Sequence, residues 1–222
     1  MKQGILITLS VVALMFSACD GNSRKATTEQ QVSETSKMTH EQIQAASFND
    51  LFKEVEPTEI PGNVFTLVSK DFTVLTGGTP ELYNSMVAGW GGWGTLFDKP
   101  ATWCFLRANR YTLELIRKDH VYSMSYFDNE YKEDIMKFGT QSGRDTQKMK
   151  ETQLTAVQTP AGSMTYKEAK LIIECRLFEV TTVSPDDFQT EEARKFIVDA
   201  HTEAGEYHKM VFGEITKVWV RK

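Results

Sequence analysis

Asn84-Ser85-Met86-Val87-Ala88-Gly89-Trp90-Gly91-Gly92-Trp93-Gly94, or NSMVAGWGGWG, is the stretch on which the reading of this chain turns. It sets an amide, small side chains, two tryptophans and four glycines between segments with strand-like patterning. Glycine lets a backbone come close to a ligand and adopt conformations closed to other residues. Tryptophan offers a flat apolar wall with one N–H donor. A loop of this kind can hold a flat aromatic molecule while its amides face a polar edge. It can equally be a tight strand-to-strand turn whose tryptophans fill a core. The surrounding chain has to decide between the two.

Upstream, Val64–Val68 and Phe72–Thr76 are apolar, β-branched runs and are predicted strands, with Gly77-Gly78-Thr79-Pro80 as the turn after them. Downstream, Lys99-Pro100 is expected to close the loop before a strand over Ala101–Leu106. Arg110–Lys118 has helical periodicity, with Tyr111, Leu115 and Lys118 on one face. Val121–Phe127 alternates as a strand. Asn129–Phe138 is a predicted helix capped by Asn129 and ended by Gly139. Thr140–Arg144 is a polar loop, and Asp145 is expected to open a short helix to about Glu151. Leu154–Val157 is a predicted strand and Pro160–Ser163 a turn. Apolar side chains then fall at Ala169, Leu171, Ile173, Cys175 and Leu177, with Lys170, Glu174 and Arg176 opposite. That period of two predicts a half-buried strand. A helix over Phe188–Ala200 and a long strand over Met210–Val220 complete the chain. Strands and helices do not alternate as in a βαβ fold. The pattern predicts a mainly β, α+β architecture, an antiparallel barrel with inserted helices.

The amino terminus has the layout of a secretory signal over residues 1–19. Lys2 is followed by an apolar run, Ile5–Phe16, shorter than the roughly 20 residues a membrane-spanning helix needs. Phe16-Ser17-Ala18-Cys19 resembles a bacterial lipobox, which implies lipidation of Cys19 and anchoring outside the cytoplasm, in the periplasm or on the exterior. Residues 20–46 are polar, with almost no apolar side chain before Ile43, and read as a flexible tether with a short helix near His40–Phe48. Residues 47–222 are the size of one domain.

The chain carries 25 Lys and Arg against 30 Asp and Glu, so nothing suggests a nucleic-acid surface. Beyond Cys19 only Cys104 and Cys175 remain, both in strand-like runs, expected as buried free thiols. No CxxC, Walker-type loop, HExxH or GxSxG motif is present, and the four histidines, His40, His120, His201 and His208, are scattered. No metal site is expected.

Four pieces stand in order: NSMVAGWGGWG from Asn84, RANRYT from Arg107, FGTQSGRD from Phe138 and EYHKMVFGEI from Glu206. Together they resemble the flavin reductase-like family with the FMN-binding split-barrel fold, in particular its flavoredoxin-type members, over nearly all of Ser69–Val220. The resemblance implies FMN held without a covalent bond, usually at a homodimer interface. It implies that Asn84, Ser85, Met86, Val87, Ala88 and Trp90 run beside the isoalloxazine. Arg107, Arg110, Tyr111, Thr112, Ser142, Gly143, Arg144 and Asp145 complete the cofactor contacts it implies. Guanidinium groups suit phosphate oxygens, and a helix start at Arg110–Thr112 suits an anion. Asp145 also reads as a cap that orients its loop. Trp93 reads as core. His208 stands where related reductases carry a histidine on the nicotinamide or substrate side, or it is a surface histidine. Val87 and Gly89 replace the Thr and Ser common in the family, removing two hydroxyls from the flavin side.

The function so implied is a flavin-dependent oxidoreductase or electron-transfer protein. Its donor and acceptor are unknown, and free nicotinamide is scarce outside the cytoplasm. A membrane or periplasmic electron carrier fits that location better. The alternatives are a non-catalytic flavin- or haem-type binding lipoprotein, or a lipoprotein acting through protein contacts.

Overall fold

The computed structural model describes residues 38–146, 148–201 and 207–222. The expected signal, Cys19 and most of the tether lie outside the described residues. The folded unit begins at Thr39, ahead of the expected boundary at Ser47. Thr39 and Gln42 form a capping box that starts helix α1 (His40–Ala45), and Ile43 is buried. Helix α2 (Phe48–Leu51), capped by Ser47, leads into strand β1 (Phe52–Val55).

The expected strand over Val64–Val68 is helix α3 (Val64–Ser69). Asn63 decides it, since its side chain accepts from the N–H groups of Phe65 and Thr66, a cap that outweighs the β-branched composition. Strands β2 (Thr73–Thr79) and β3 (Leu82–Ala88) form a hairpin that turns at Pro80-Glu81, so Gly77, Gly78 and Thr79 belong to the strand. Strands β4 (Gly91–Leu96) and β5 (Lys99–Arg107) pair through a turn at Phe97-Asp98. Both turn residues have left-handed φ, 53° and 58°, the signature of the two-residue hairpin whose twist matches the strands. Lys99-Pro100 is therefore strand rather than loop closure. The glycine-tryptophan stretch is itself mostly strand, the end of β3 and the start of β4.

Helix α4 (Tyr111–Asp119) and strand β6 (Val121–Tyr126) follow as expected. Asn129–Tyr131 is a 3-10 turn, and helix α5 runs Lys132–Thr140, so Asn129 caps nothing and Gly139 lies inside the helix. A Cβ at Gly139 would press on Val87. The short helix expected from Asp145 is a 3-10 turn over Lys148–Glu151. Strands β7 (Ala156–Gln158) and β8 (Met164–Tyr166) form a small hairpin, followed by β9 (Leu171–Thr182), helix α6 (Glu191–Asp199) and β10 (His208–Arg221).

The main sheet is antiparallel in the order β3-β2-β6-β9-β10-β5-β4, with β1 also paired to β10. Consecutive strands β3 and β4 stand at its two ends, yet only Gly89 and Trp90 separate them. Two residues span at most about 7 Å more than one peptide step, so the sheet must curl until its edges nearly meet. The fold is thus the antiparallel barrel with inserted helices that the sequence predicts.

Both faces of the sheet are covered. Leu75, Met86, Leu106, Tyr122, Met124, Leu171, Ile173 and Val218 pack into one cluster, joined by Leu113 and Ile116 of α4. Val74, Ile172 and Trp219, offset by one residue, pack into a second with Phe48, Ile135, Phe138 and Tyr166. Full burial of each such side chain is worth about 1.5–3 kcal/mol. This covering explains why β9 is not half-buried: Glu174 is 1 % exposed, accepting hydrogen bonds from Thr159 and Trp219. Cys104 and Cys175 are buried free thiols.

Tyr122 fills the space beside Gly213 on β10, where an added Cβ would stand 2.2 Å from the phenol oxygen. Gly213→Ala is expected to lose about 1–3 kcal/mol through overpacking. That corresponds to about 2–4 °C per kcal/mol in thermal unfolding of a domain this size.

Candidate functional site

Strand β3 brings part of the predicted contact set to one cleft. Asn84, Met86 and Val87 line a cleft closed by Asn109–Thr112 at the start of α4 and by Phe138, Gly139, Gln141–Arg144 and Lys148. Ser85 turns away: its hydroxyl bonds to Thr76 and Tyr166 at 2.8 and 2.7 Å inside the second core layer. It is not a side-chain contact of the cleft, contrary to expectation. A second lobe, lined by Met86–Trp90, Phe105, Arg107, Arg110 and His208, continues from the first through Met86, Val87 and Arg110. The two lobes measure about 60 and 150 Å³.

The first lobe is built for an anion. Helix α4 begins at Arg110 with no side-chain cap, leaving its first N–H groups to a ligand or solvent. Lys148 is 2 % exposed, and its ammonium donates to the carbonyls of Phe138 and Gln141, both at 2.9 Å. Burial and the neighbouring Arg110 charge push its pKa down to about 8. Two cationic side chains thus border one lobe. Asn84 donates to Thr112 at 2.7 Å, while its Oδ1 is buried without a partner. Gly143 abuts that oxygen, where a Cβ would stand 1.9 Å away. An amide oxygen left without a donor carries a desolvation cost.

Arg144 lines the same lobe. Its guanidinium donates to the Asn109 carbonyl at 2.9 Å, pairs with Glu114 and lies 5.1 Å over the Tyr111 ring. Part of the fork expected for phosphate is engaged within the protein. Asp145 is exposed and outside the lining, and its backbone N–H closes a turn onto Ser142. It neither caps a helix nor faces the cleft. Ser142 and Gly143 do line it.

The second lobe is more open. Trp90 is 42 % exposed and lies 4.8 Å from the His208 ring and 6.0 Å from Phe196. Trp93 packs against Tyr126 in the core, as expected for it. Arg107 donates to the Ala200 carbonyl at 3.4 Å. His208 Nδ1 meets His201 Nε2 at 2.7 Å, and His201 Nδ1 meets the Ile197 carbonyl at 2.6 Å. A carbonyl only accepts, so His201 Nδ1 carries its proton. With both rings uncharged, His201 Nε2 then accepts from His208 Nδ1–H. His208 Nε2 is left as a bare acceptor. Burial first, then His201, Arg107 and Arg110, lower the His208 pKa to about 4. At neutral pH it takes hydrogen bonds at Nε2 and does not supply protons. Sequence reasoning missed Lys148, held by carbonyls ten and seven positions before it, and the His201 partner, seven positions from His208.

An unfolded histidine titrates near 6.5, so between about pH 6.5 and 4 the unfolded chain binds a proton that folded His208 does not. Stability is therefore lost as pH falls through that window. Thermal unfolding across it should show a shallower decline in His208→Phe than in the parent protein.

The model of the flavin reductase-like domain matches residues 67–222. No protein of curated function matches the chain. Among solved structures, the FMN-binding protein of Thermus thermophilus superposes with a TM-score of 0.53 at 21 % identity, covering 72 % of this chain and 75 % of its own. Flavoredoxin from Methanosarcina acetivorans gives 0.52 at 19 % identity, covering 75 % and 76 %. Flavoredoxin of Desulfovibrio vulgaris gives 0.52 at 18 % identity, with the same coverage. These likenesses show the fold, and the domain match, over well more than half of the chain, shows that it belongs to the flavin reductase-like family.

Proposed function

We propose that the chain binds FMN without a covalent bond along the two-lobed cleft and works as a flavin-dependent redox protein. The observation that carries this reading is the pairing of Arg110 with the buried Lys148 beside an uncapped helix start, at one end of a cleft that Trp90 walls at the other. A phosphorylated flat ring system has the matching polarity. The solved relatives described as FMN-binding proteins and flavoredoxins support it.

Bound flavin supplies one- and two-electron transfer chemistry. The chain's part is to bind and orient it. Lys148 and Arg110 neutralise an anion at the helix start, Asn84 places a hydrogen-bonding amide against its polar edge, and Trp90 shields an apolar face from water. Val87 and Gly89 leave that strand to work through backbone groups and shape alone. The lobes of one protomer fall below the roughly 300–1,000 Å³ of ordinary ligand pockets. That favours completion of the site by a second copy, as a homodimer. The secretory pattern and Cys19 support a lipid-tethered protein outside the cytoplasm, supplied by an electron carrier other than free NAD(P)H.

Binding of FMN should be visible as flavin absorbance carried by the purified protein and as a rise in its melting temperature. Free Lys148 loses its charge above about pH 8, so FMN affinity should fall as pH rises through that value, because binding must then recover a proton. Lys148→Met is expected to weaken FMN by about tenfold at pH 7, about 1.4 kcal/mol, and to flatten this dependence. Unchanged affinity and an unchanged pH profile in that variant would remove Lys148 from the site.

A further inference from the structure

Strand β8 ends at Tyr166, and the next residue is Lys167. These two side chains join parts of the molecule that lie far apart in sequence. The Tyr166 ring is fully buried and stacks on Phe138 of α5, with centroids 5.4 Å apart and planes 27° apart. Its hydroxyl bonds to Ser85 of β3 at 2.7 Å. Phe138 lines the first lobe and its carbonyl holds Lys148, while Asn84 and Met86, on either side of Ser85, line the same lobe. Tyr166 is not part of the lining, yet it touches two of the walls that form it.

Lys167 holds the amino-terminal end of the fold. Its ammonium donates to the carbonyls of Gln44 and Ala46, at 2.6 and 2.7 Å, and so closes the last turn of α1. Ile43 of α1 is buried in the same cluster as Tyr166 and Phe138. A helix of six residues does not persist in water alone, so α1 depends on these contacts. Segments of this kind open locally while the rest of a domain stays folded.

We propose that Tyr166 and Lys167 are positioning residues that couple the docking of residues 39–51 to the cleft, so that docking and FMN binding favour each other. The proposal rests on the flavin reading for its ligand; the link itself is read from contacts behind the cleft. Release of α1 takes Ile43 out of the cluster and leaves the Lys167 ammonium without its two acceptors. The cluster then relaxes around Tyr166, and Phe138 and Ser85 lose the fixed partner that sets the distance between their walls. Residues 39–51 continue the chain from Cys19. On the lipid attachment proposed there, tension along the chain reaches α1 before any other described helix or strand, and the coupling passes it to the cleft.

Hydrogen exchange of the full-length, flavin-free protein, read by mass spectrometry with and without FMN, tests the coupling together with a fluorescence titration of FMN. Linkage requires the same factor in both directions. FMN is expected to slow exchange over residues 40–51 about fivefold, and Lys167→Met to open that segment and weaken FMN about fivefold. Tyr166→Phe keeps the ring stack and loses the Ser85 bond. It is expected to weaken FMN and to reduce the response of residues 40–51 to it. Lys167→Arg should restore the parental values. Lys217→Met breaks an exposed pair with Glu54 that lies outside this chain of contacts, and should leave FMN affinity unchanged. Exchange over β6 is the reference and should stay as in the parent. FMN binding without any change over residues 40–51 overturns the proposal. So does parental FMN affinity in Lys167→Met or Tyr166→Phe, an equal loss in Lys217→Met, or a matching rise over β6, which would mark general destabilisation. Absence of FMN binding in the parent itself refutes the flavin reading, and this coupling with it.

Discussion

The two-residue link from Ala88 to Gly91 constrains everything else in this molecule. It carries the chain from one edge of the sheet to the other, so the sheet has to close on itself. Closure brings the end of β3 beside the start of β10, and only there can Met86–Trp90 share a wall with Arg107 and His208. Glycine is required at Gly91, whose φ of 153° brings the backbone so near Trp103 that an added Cβ would sit 2.3 Å from its carbonyl oxygen. The same link turns Trp90 outward while Trp93, three residues on, goes into the core.

The cleft combines features that are costly to the folded protein alone. A buried lysine next to an arginine, an orphaned amide oxygen and an uncapped helix start each oppose stability. They converge on one lobe rather than being scattered through the structure. Glu114 and Asn109 hold Arg144 in place, so that much of its guanidinium is engaged within the protein while it lines the same lobe as Arg110 and Lys148.

The fold was legible because strand-like apolar runs stand at β2, β5, β6 and β10, and because α4 keeps its helical spacing. The misreadings were local and physical. Asn63 captured two backbone N–H groups and turned a β-branched run into α3. The hairpin turned at Phe97-Asp98 although neither residue is glycine. The second hydrophobic layer buried Glu174 on the face that charge patterning assigned to solvent. Within the site, the motif residues Asn84, Arg110, Thr112 and Gly143 were recoverable from sequence. Ser85 is drawn away by its hydrogen bonds to Thr76 and Tyr166, contacts that the sequence does not display. Lys148 and the His201–His208 pair were not recoverable, because their contacts join residues that do not share a helix or strand and so leave no periodic mark.

The most direct measurement is a parallel titration of the flavin-free protein with FMN and with riboflavin, which differ only by the phosphate. The account predicts that FMN binds with a bright-to-quenched fluorescence change and that riboflavin binds at least about a hundredfold more weakly, about 2.7 kcal/mol. Equal affinity for the two, or binding of neither, would contradict it.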